Sequence, residues 1–323
     1  MAKSEQGIPP SQQPKAADYS FDLDAALRSI VALRATVPED SFTASTLGTE
    51  RAGSAVHIRP GLFLTIGYLI TEADQVWLTS SGGQAVPGHA LAYDQETGFG
   101  LVQSLGRLDV PVMELGDSSK ARVGEPVIFA AAGGKRHCVA GKVAGRQEFA
   151  GYWEYLLDDA IFTTPSHPFW GGAGLIGKDG KLLGIGSLVL QQGGEGGKRQ
   201  DMNMAVPVQL LVPILDDLLA YGRVNRPPRP WLGLFAMEDD DTLVVGGLAD
   251  DGPADKAGLR TGDRILKVNG ADVPDLAGLW RAVWASGPAG SDVQVSLGRG
   301  NRTSAVTVTS TDRASILKSP RLH

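Results

Sequence analysis

Val224-Asn225-Arg226-Pro227-Pro228-Arg229-Pro230 divides the chain in two. Three prolines in seven residues, with no apolar periodicity around them, read as a stiff extended linker. Proline fixes φ and has no amide hydrogen to give, so neither a helix interior nor a central strand runs through such a segment. In a chain of 323 residues this punctuation predicts two domains, with enough material for a sizeable buried core.

Reading back from the linker, apolar residues at 211, 214, 215, 218 and 219 fall at helical spacing, and Gly222 supplies a stop. A helix over 207–222 is expected to close the first domain. Upstream the pattern changes to short apolar runs at 29–37 (ended by Pro38), 54–58, 62–65, 75–79, 100–103, 126–130, 182–190 and 204–206. Gly, Pro and Asp separate them, which predicts an all-β barrel or sandwich. Asp22 or Asp24 is placed to cap a short helix over 25–28. Residues 1–18 are polar, rich in Gln, Pro and Ser, and are expected to be disordered. Beyond the linker, 231–311 alternates short strands with one helix at 276–285, and 312–323 reads as a flexible tail.

Composition narrows the function classes. With 42% apolar and 20% charged residues the chain is globular. A net charge of -6 with no long basic run leaves sequence-independent nucleic-acid binding no electrostatic basis. The one cysteine, Cys138, excludes an intrachain disulfide, and no Cys/His set has zinc spacing. No cofactor or metal is therefore expected. Residues 1–20 lack the apolar core of a signal peptide, and no window is apolar enough for a bilayer. The literal reading is cytoplasmic, without membrane insertion. A chain already trimmed of its signal, hence periplasmic, would read the same.

From Tyr19 to about Thr311 the sequence resembles the HtrA (DegP-like) family. The resemblance rests on Tyr19-Ser20-Phe21, on Ala52-Gly53-Ser54-Ala55-Val56-His57-Ile58, and on the runs at 114–127, 179–186, 205–207 and 219–224. It rests equally on Trp231-Leu232-Gly233-Leu234, on Gly252-Pro253-Ala254-Asp255-Lys256-Ala257-Gly258-Leu259, and on the run 262–270. Each piece is short, and their order and spacing carry the case. The implied fold is mainly β: a chymotrypsin/trypsin-like double β-barrel over 19–223, then the linker 224–230 and a PDZ domain over 231–311.

The chemistry of that family needs a serine oxygen to attack the peptide carbonyl, a histidine to take its proton and an aspartate to orient the histidine. Where the family carries histidine, this chain reads Leu64-Thr65-Ile66-Gly67-Tyr68; where it carries aspartate, Thr97-Gly98. In the serine turn it reads Phe169-Trp170-Gly171-Gly172-Ala173-Gly174-Leu175. The resemblance thus implies three vacated positions, Tyr68, Gly98 and Gly171, and no catalytic residue. A shift of one would put Trp170 in the serine slot, which is no nucleophile either. Phe169 and Trp170 also bring bulk to the loop whose amides would form an oxyanion hole. Substitutes are Ser166 beside His167, and Cys138 beside His137. Neighbours on an extended chain point to opposite faces, so neither pair is expected to act together. His57, in a strand, and His89 and His137, in expected loops, read as ordinary structural or surface residues.

In the PDZ-like stretch the resemblance implies a peptide groove. The carboxylate loop would be Trp231-Leu232-Gly233-Leu234 and the docking strand Leu234-Phe235-Ala236-Met237. Leu276, Leu279 and Val283 would form the opposing helical wall. Such a groove takes protein C-termini or extended peptides with an apolar last residue; a groove filled by the chain itself or by a neighbouring subunit is the other possibility. Trp280 and Trp284 share a different face of that helix, for packing or for a partner. Tyr19 and Phe21 match aromatics that knit three subunits together in the family, which implies a homotrimer. Residues 192–199 read as a flexible hairpin tip rather than a phosphate loop, and 238–241 as a solvated acidic turn. The expected function is a catalytically inactive scaffold, adaptor or holdase. The alternatives are a regulatory subunit of an active relative, or an endopeptidase with a rearranged site.

Overall fold

The structure is a computed structural model and describes residues 7–193, 199–240 and 242–319. It contains two compact units. One comprises Met1–Gln147, Asp159–Val224 and Lys318–His323; the other comprises Glu148–Asp158 and Asn225–Leu317.

Two closed six-stranded barrels build the first unit. The first uses β1 (Ile30–Thr36), β2 (Glu50–Arg59), β3 (Leu62–Ile66), β4 (Gln75–Thr79), β5 (Ala85–Tyr93) and β6 (Phe99–Ser104), in the order β1-β2-β3-β6-β5-β4. The second uses β7 (Pro126–Ala130), β8 (Cys138–Gly151), β9 (Tyr155–Thr164), β10 (Gly174–Ile176), β11 (Leu182–Gly193) and β12 (Arg199–Pro207), in the order β10-β11-β12-β9-β8-β7. Closure removes sheet edges, and both barrels bury apolar side chains: Ile30, Leu33, Phe63, Leu64 and Phe99 in the first, Phe129, Ile161 and Leu175 in the second.

Helices are few. In α1 (Leu23–Arg28) the Asp22 carboxylate accepts the Ala25 amide at 2.9 Å, so the helix begins two residues earlier than expected. A four-residue turn, α2 (Ala44–Leu47), follows β1. The helix expected over 207–222 is shorter: a 3-10 turn at Val208–Leu210 precedes α3 (Leu215–Tyr221), which stops at Gly222 with φ 69°. Pro213 is the reason, because it has no amide for the helical ladder and its ring clashes with the carbonyl four residues back.

In the second unit β13 (Leu234–Asp239), β14 (Thr242–Leu248), β15 (Arg264–Val268), β17 (Asp292–Arg299) and β18 (Arg302–Thr309) form a sheet in that order, and β16 (Ala271–Asp272) pairs with β15. Two helices complete it, α4 (Pro253–Lys256) and α5 (Leu276–Trp284). Asp275 caps α5 by accepting the Gly278 amide at 2.6 Å. Trp280, Leu279 and Val283 are fully buried in this core. The hairpin tip 148–158, where β8 turns into β9, belongs to this unit rather than to the barrels.

Two terminal expectations change. Residues 7–18 are ordered: two 3-10 turns form, and Ile8 is buried with its amide on the Arg136 carbonyl at 2.8 Å. One apolar anchor in a polar stretch escapes a composition argument. The tail is not frayed over its described part, since Arg313–Ile316 forms a 3-10 helix and the Lys318 amide reaches Glu72 Oε1 at 3.0 Å. Of the tip expected at 192–199, residues 194–198 lie outside the described residues, as does Asp241 of the acidic turn; Glu238, Asp239 and Asp240 are exposed.

Candidate functional site

Two places bear on function, one in each unit. In the barrel unit, Tyr68 follows β3 on a 3-10 turn (Gly67–Leu69), and the turn 170–173 precedes β10. These turns meet. A Cβ added at Gly171 would lie 2.9 Å from the Tyr68 hydroxyl. That hydroxyl donates to the Ser187 carbonyl at 2.9 Å. Loss of solvent holds the phenol above its ordinary value of 10, and a hydrogen bond with Trp170 opposes the shift. Gly98 lies on the other side of the same turn. It has φ 80°, and its carbonyl accepts the Gly67 amide at 2.7 Å. The fold therefore gathers positions 68, 98 and 171, with a tyrosine as the one side chain among them. A cavity of about 480 Å³ opens here, lined by Ala52, Tyr68, His137, Phe169, Trp170 and Gly171 among others.

The loop above it is fixed by hydrogen bonds. The Phe169 amide donates to His167 Nδ1 at 2.9 Å, which places the proton on Nε2, and Nε2 donates to the His137 carbonyl at 3.0 Å. Burial, first of all, pushes His167 down to about 4, so the ring is neutral near pH 7. His57 is similarly committed: Nε2 accepts the Gly61 amide, and Nδ1 faces the carbonyls of Val110 and Pro111. The Cys138 thiol is buried, meets the Gly134 carbonyl, and is pushed up to about 12. Two placements differ from expectation: His89 lies within β5 and His137 ends a 3-10 helix (Gly134–His137), neither in a loop. Phe169 and Trp170 are both partly exposed, at 40% and 37%.

In the second unit, the loop 231–234 is a cradle of amides. Gly233 takes φ 72°, a conformation that turns successive amides toward one point, and a Cβ there would meet the Trp231 ring at 3.0 Å. Converging on that point is the side chain of Glu154. It accepts from the Leu232 amide at 3.1 Å and the Leu234 amide at 3.0 Å, and from the Gly233 amide as well. Burial pushes this carboxyl up to about 7, while the three amides and Arg313 pull it down. Further along, the Ala236 amide donates to the Tyr152 carbonyl at 2.9 Å, and Trp280 Nε1 donates to the Gly151 carbonyl at 2.8 Å. The space between β13 and α5 is thus occupied by residues 151–154 of the same chain.

This occupant is the feature that sequence reasoning missed. An outside ligand was the first expectation and a groove filled by the chain itself the alternative; the structure has the alternative, and the hairpin residues 151–154 that fill it were not foreseen. Leu279 and Val283, expected as the wall, are wholly interior, and Leu276 is partly buried. Phe235 faces the Tyr152 ring at 6.2 Å between centroids, and Met237 is exposed. Trp280 is core yet reaches the groove through its indole nitrogen, while Trp284 carries the Arg229 guanidinium at 4.2 Å over its ring. A signal was present: Phe149, Tyr152, Trp153 and Tyr155 put four aromatics into seven residues of a chain that is 7% aromatic. Tyr19 and Phe21 pack on each other, centroids 5.3 Å apart, and Phe21 lies against Gly180 of their own unit.

The geometry defines a class: paired trypsin-type barrels followed by a PDZ domain. Family descriptions agree, with "Trypsin-like peptidase domain" matching residues 53–185 and "PDZ domain" matching 230–309. These matches, with the relatives that follow, support an HtrA-like family for the chain. It is 26% identical over 244 residues, 69% of this chain, to a probable periplasmic serine endoprotease DegP-like of Pseudomonas putida, and covers 49% of that protein. A protein of the same description in Halomonas elongata is 26% identical over 77% of this chain and 54% of its own length. The chain thus spans about half the length of these curated relatives. Among solved structures, the HtrA-type protease AlgW with tripeptide is similar in fold, with TM-score 0.53, 21% identity, 95% of this chain and 99% of that one. The serine endoprotease from Yersinia pestis aligns with TM-score 0.52 at 20% identity, over 90% of this chain and 98% of that one. The cytoplasmic expectation finds no support in relatives named periplasmic. Among the described residues no helix is long and apolar enough to cross a membrane.

Proposed function

We propose that this chain is a catalytically inactive HtrA-like protein that binds protein C-termini or extended peptides through its PDZ domain, as a scaffold, adaptor or holdase. The observation that carries this is the Tyr68 hydroxyl, which stands 2.9 Å from where the first side-chain carbon of residue 171 would be. A phenol held above 10 is a poor base at neutral pH, and glycine at 171 offers no oxygen to activate. The Phe169 amide, given over to His167, is withdrawn from oxyanion duty. On the binding side, the cradle amides already hold a carboxylate. The names of the relatives favour a periplasmic location, and also favour the second reading, an endopeptidase with a rearranged site. Casein turnover and labelling by a fluorophosphonate decide between the readings. Neither is expected; robust turnover that disappears in Ser166→Ala would overturn the inactive reading. For the binding half, titration with peptides ending in Val, Leu or Phe is expected to give heat that Gly233→Glu removes.

A further inference from the structure

The peptide-binding reading has to account for what already sits in the cradle. Glu154 meets the amides of 232, 233 and 234, and two residues back the Tyr152 carbonyl meets the Ala236 amide. Two residues back on one segment and two forward on the other is the step of an antiparallel ladder. A peptide added to the edge of β13, with its terminal carboxylate in the cradle, would make the same bonds. The chain does not end at Glu154, however. Glu154 takes φ 58°, a left-handed conformation that is disfavoured for a non-glycine residue. There the backbone swings out toward β9, and the side chain takes the place of a terminus. Outside the groove, Arg281 forms ion pairs with Glu148 and Asp158 at the two feet of the hairpin. Trp153 stacks on Tyr155 at 5.7 Å and stiffens the turn.

From this geometry we propose that residues 151–154 are an internal pseudo-ligand, and that a free peptide C-terminus with an apolar last residue enters the PDZ groove only by displacing the Glu154 carboxyl. The proposal rests on the peptide-binding reading given above. When only a fraction of molecules has an open groove, apparent affinity falls by that fraction. Binding is therefore weaker than the cradle itself allows, and each binding event frees the hairpin tip at 148–158.

The test uses the full chain and one pair of synthetic peptides ending in Val, with a free carboxylate or a terminal amide. Titration is run on wild type, Glu154→Ala and Glu154→Gln, with hydrogen exchange followed over 231–237 and 148–158. The free-acid peptide is expected to bind Glu154→Ala at least ~10-fold more tightly than wild type, because the competing state is removed. Glu154→Gln, which keeps the size but not the charge, is expected to change in the same direction and serves if the alanine variant does not fold. Saturating wild type with the free acid is expected to raise exchange over 148–158 while 232–236 stays protected, and the amidated peptide is expected to leave exchange over both segments unchanged. Equal affinity for wild type and both variants would overturn the pseudo-ligand and leave peptide binding standing. Failure of every folded variant to bind either peptide would overturn the peptide-binding reading itself, and the displacement step with it.

Discussion

A side chain at residue 171 has to share space with the Tyr68 hydroxyl, and that contact can be measured. Gly171→Ala is expected to cost about 1–3 kcal/mol through overpacking. Tyr68→Phe alone is expected to cost about 1 kcal/mol, because the Ser187 carbonyl loses its donor. In the double variant the clash partner is gone, so the loss should be smaller than the sum; urea melts of the four-member cycle check this. Additive losses would mean that the two positions do not compete for one volume. Position 172 is stricter: Gly172 has φ 73°, and a Cβ there would fall 1.9 Å from the Ser54 carbonyl oxygen. At this scale the sequence was informative wherever physics is local. Of the two cap candidates Asp22 caps, and Gly222 stops its helix as read, because each choice is made within a few residues. Glu154 was not legible. Its partners lie 78 and 80 positions away, and one acidic residue in a turn reads as solvated until the fold brings it to Leu232 and Leu234.

The tail, judged mobile from composition, is tied at Lys318 to a polar anchor, the Glu72 carboxylate. It accepts from the Thr43 hydroxyl at 2.6 Å, the Thr43 amide at 2.7 Å, the Phe42 amide at 3.1 Å and the Lys318 amide at 3.0 Å. One side chain therefore ties the start of α2 to the returning tail. Burial pushes this carboxyl up, but the Thr43 hydroxyl and the three amides outweigh burial and hold it below its ordinary 4.5. A carboxyl depressed in the folded state adds stability that is fully present above the unfolded value and is lost as pH falls through the folded one. The urea midpoint of wild type is expected to drop as pH is lowered from above 4.5 to below it. Glu72→Gln should start lower near neutral pH and lack this component of the acid loss. A variant whose acid profile parallels wild type would remove Glu72 as the anchor. No sequence pattern joins residue 72 to 318, since the tie consists of main-chain donors, which every residue type except proline carries.

For the whole molecule, the proposed binding role meets a groove that residues 151–154 already occupy. A single cradle in competition with Glu154 is a weak site. Three cradles on one particle change the arithmetic, because after the first terminus docks the next meets an effective concentration set by geometry rather than by bulk solution. The homotrimer that the family resemblance implies would supply this, and Tyr19 and Phe21 are the residues to probe. Both are only half-buried in the single chain, so each retains surface for a neighbour even though Phe21 leans on Gly180. Light scattering of the full chain at micromolar concentration is expected to give three chains per particle. The double change Tyr19→Ala, Phe21→Ala is expected to give one, with little change in the melting of each unit because neither ring is core. A bead carrying many copies of a Val-terminated peptide should then retain the trimer far longer than the monomeric variant, while a single soluble peptide binds both alike. If wild type scatters as a monomer, avidity is lost as an explanation, and the groove has to work by displacement alone.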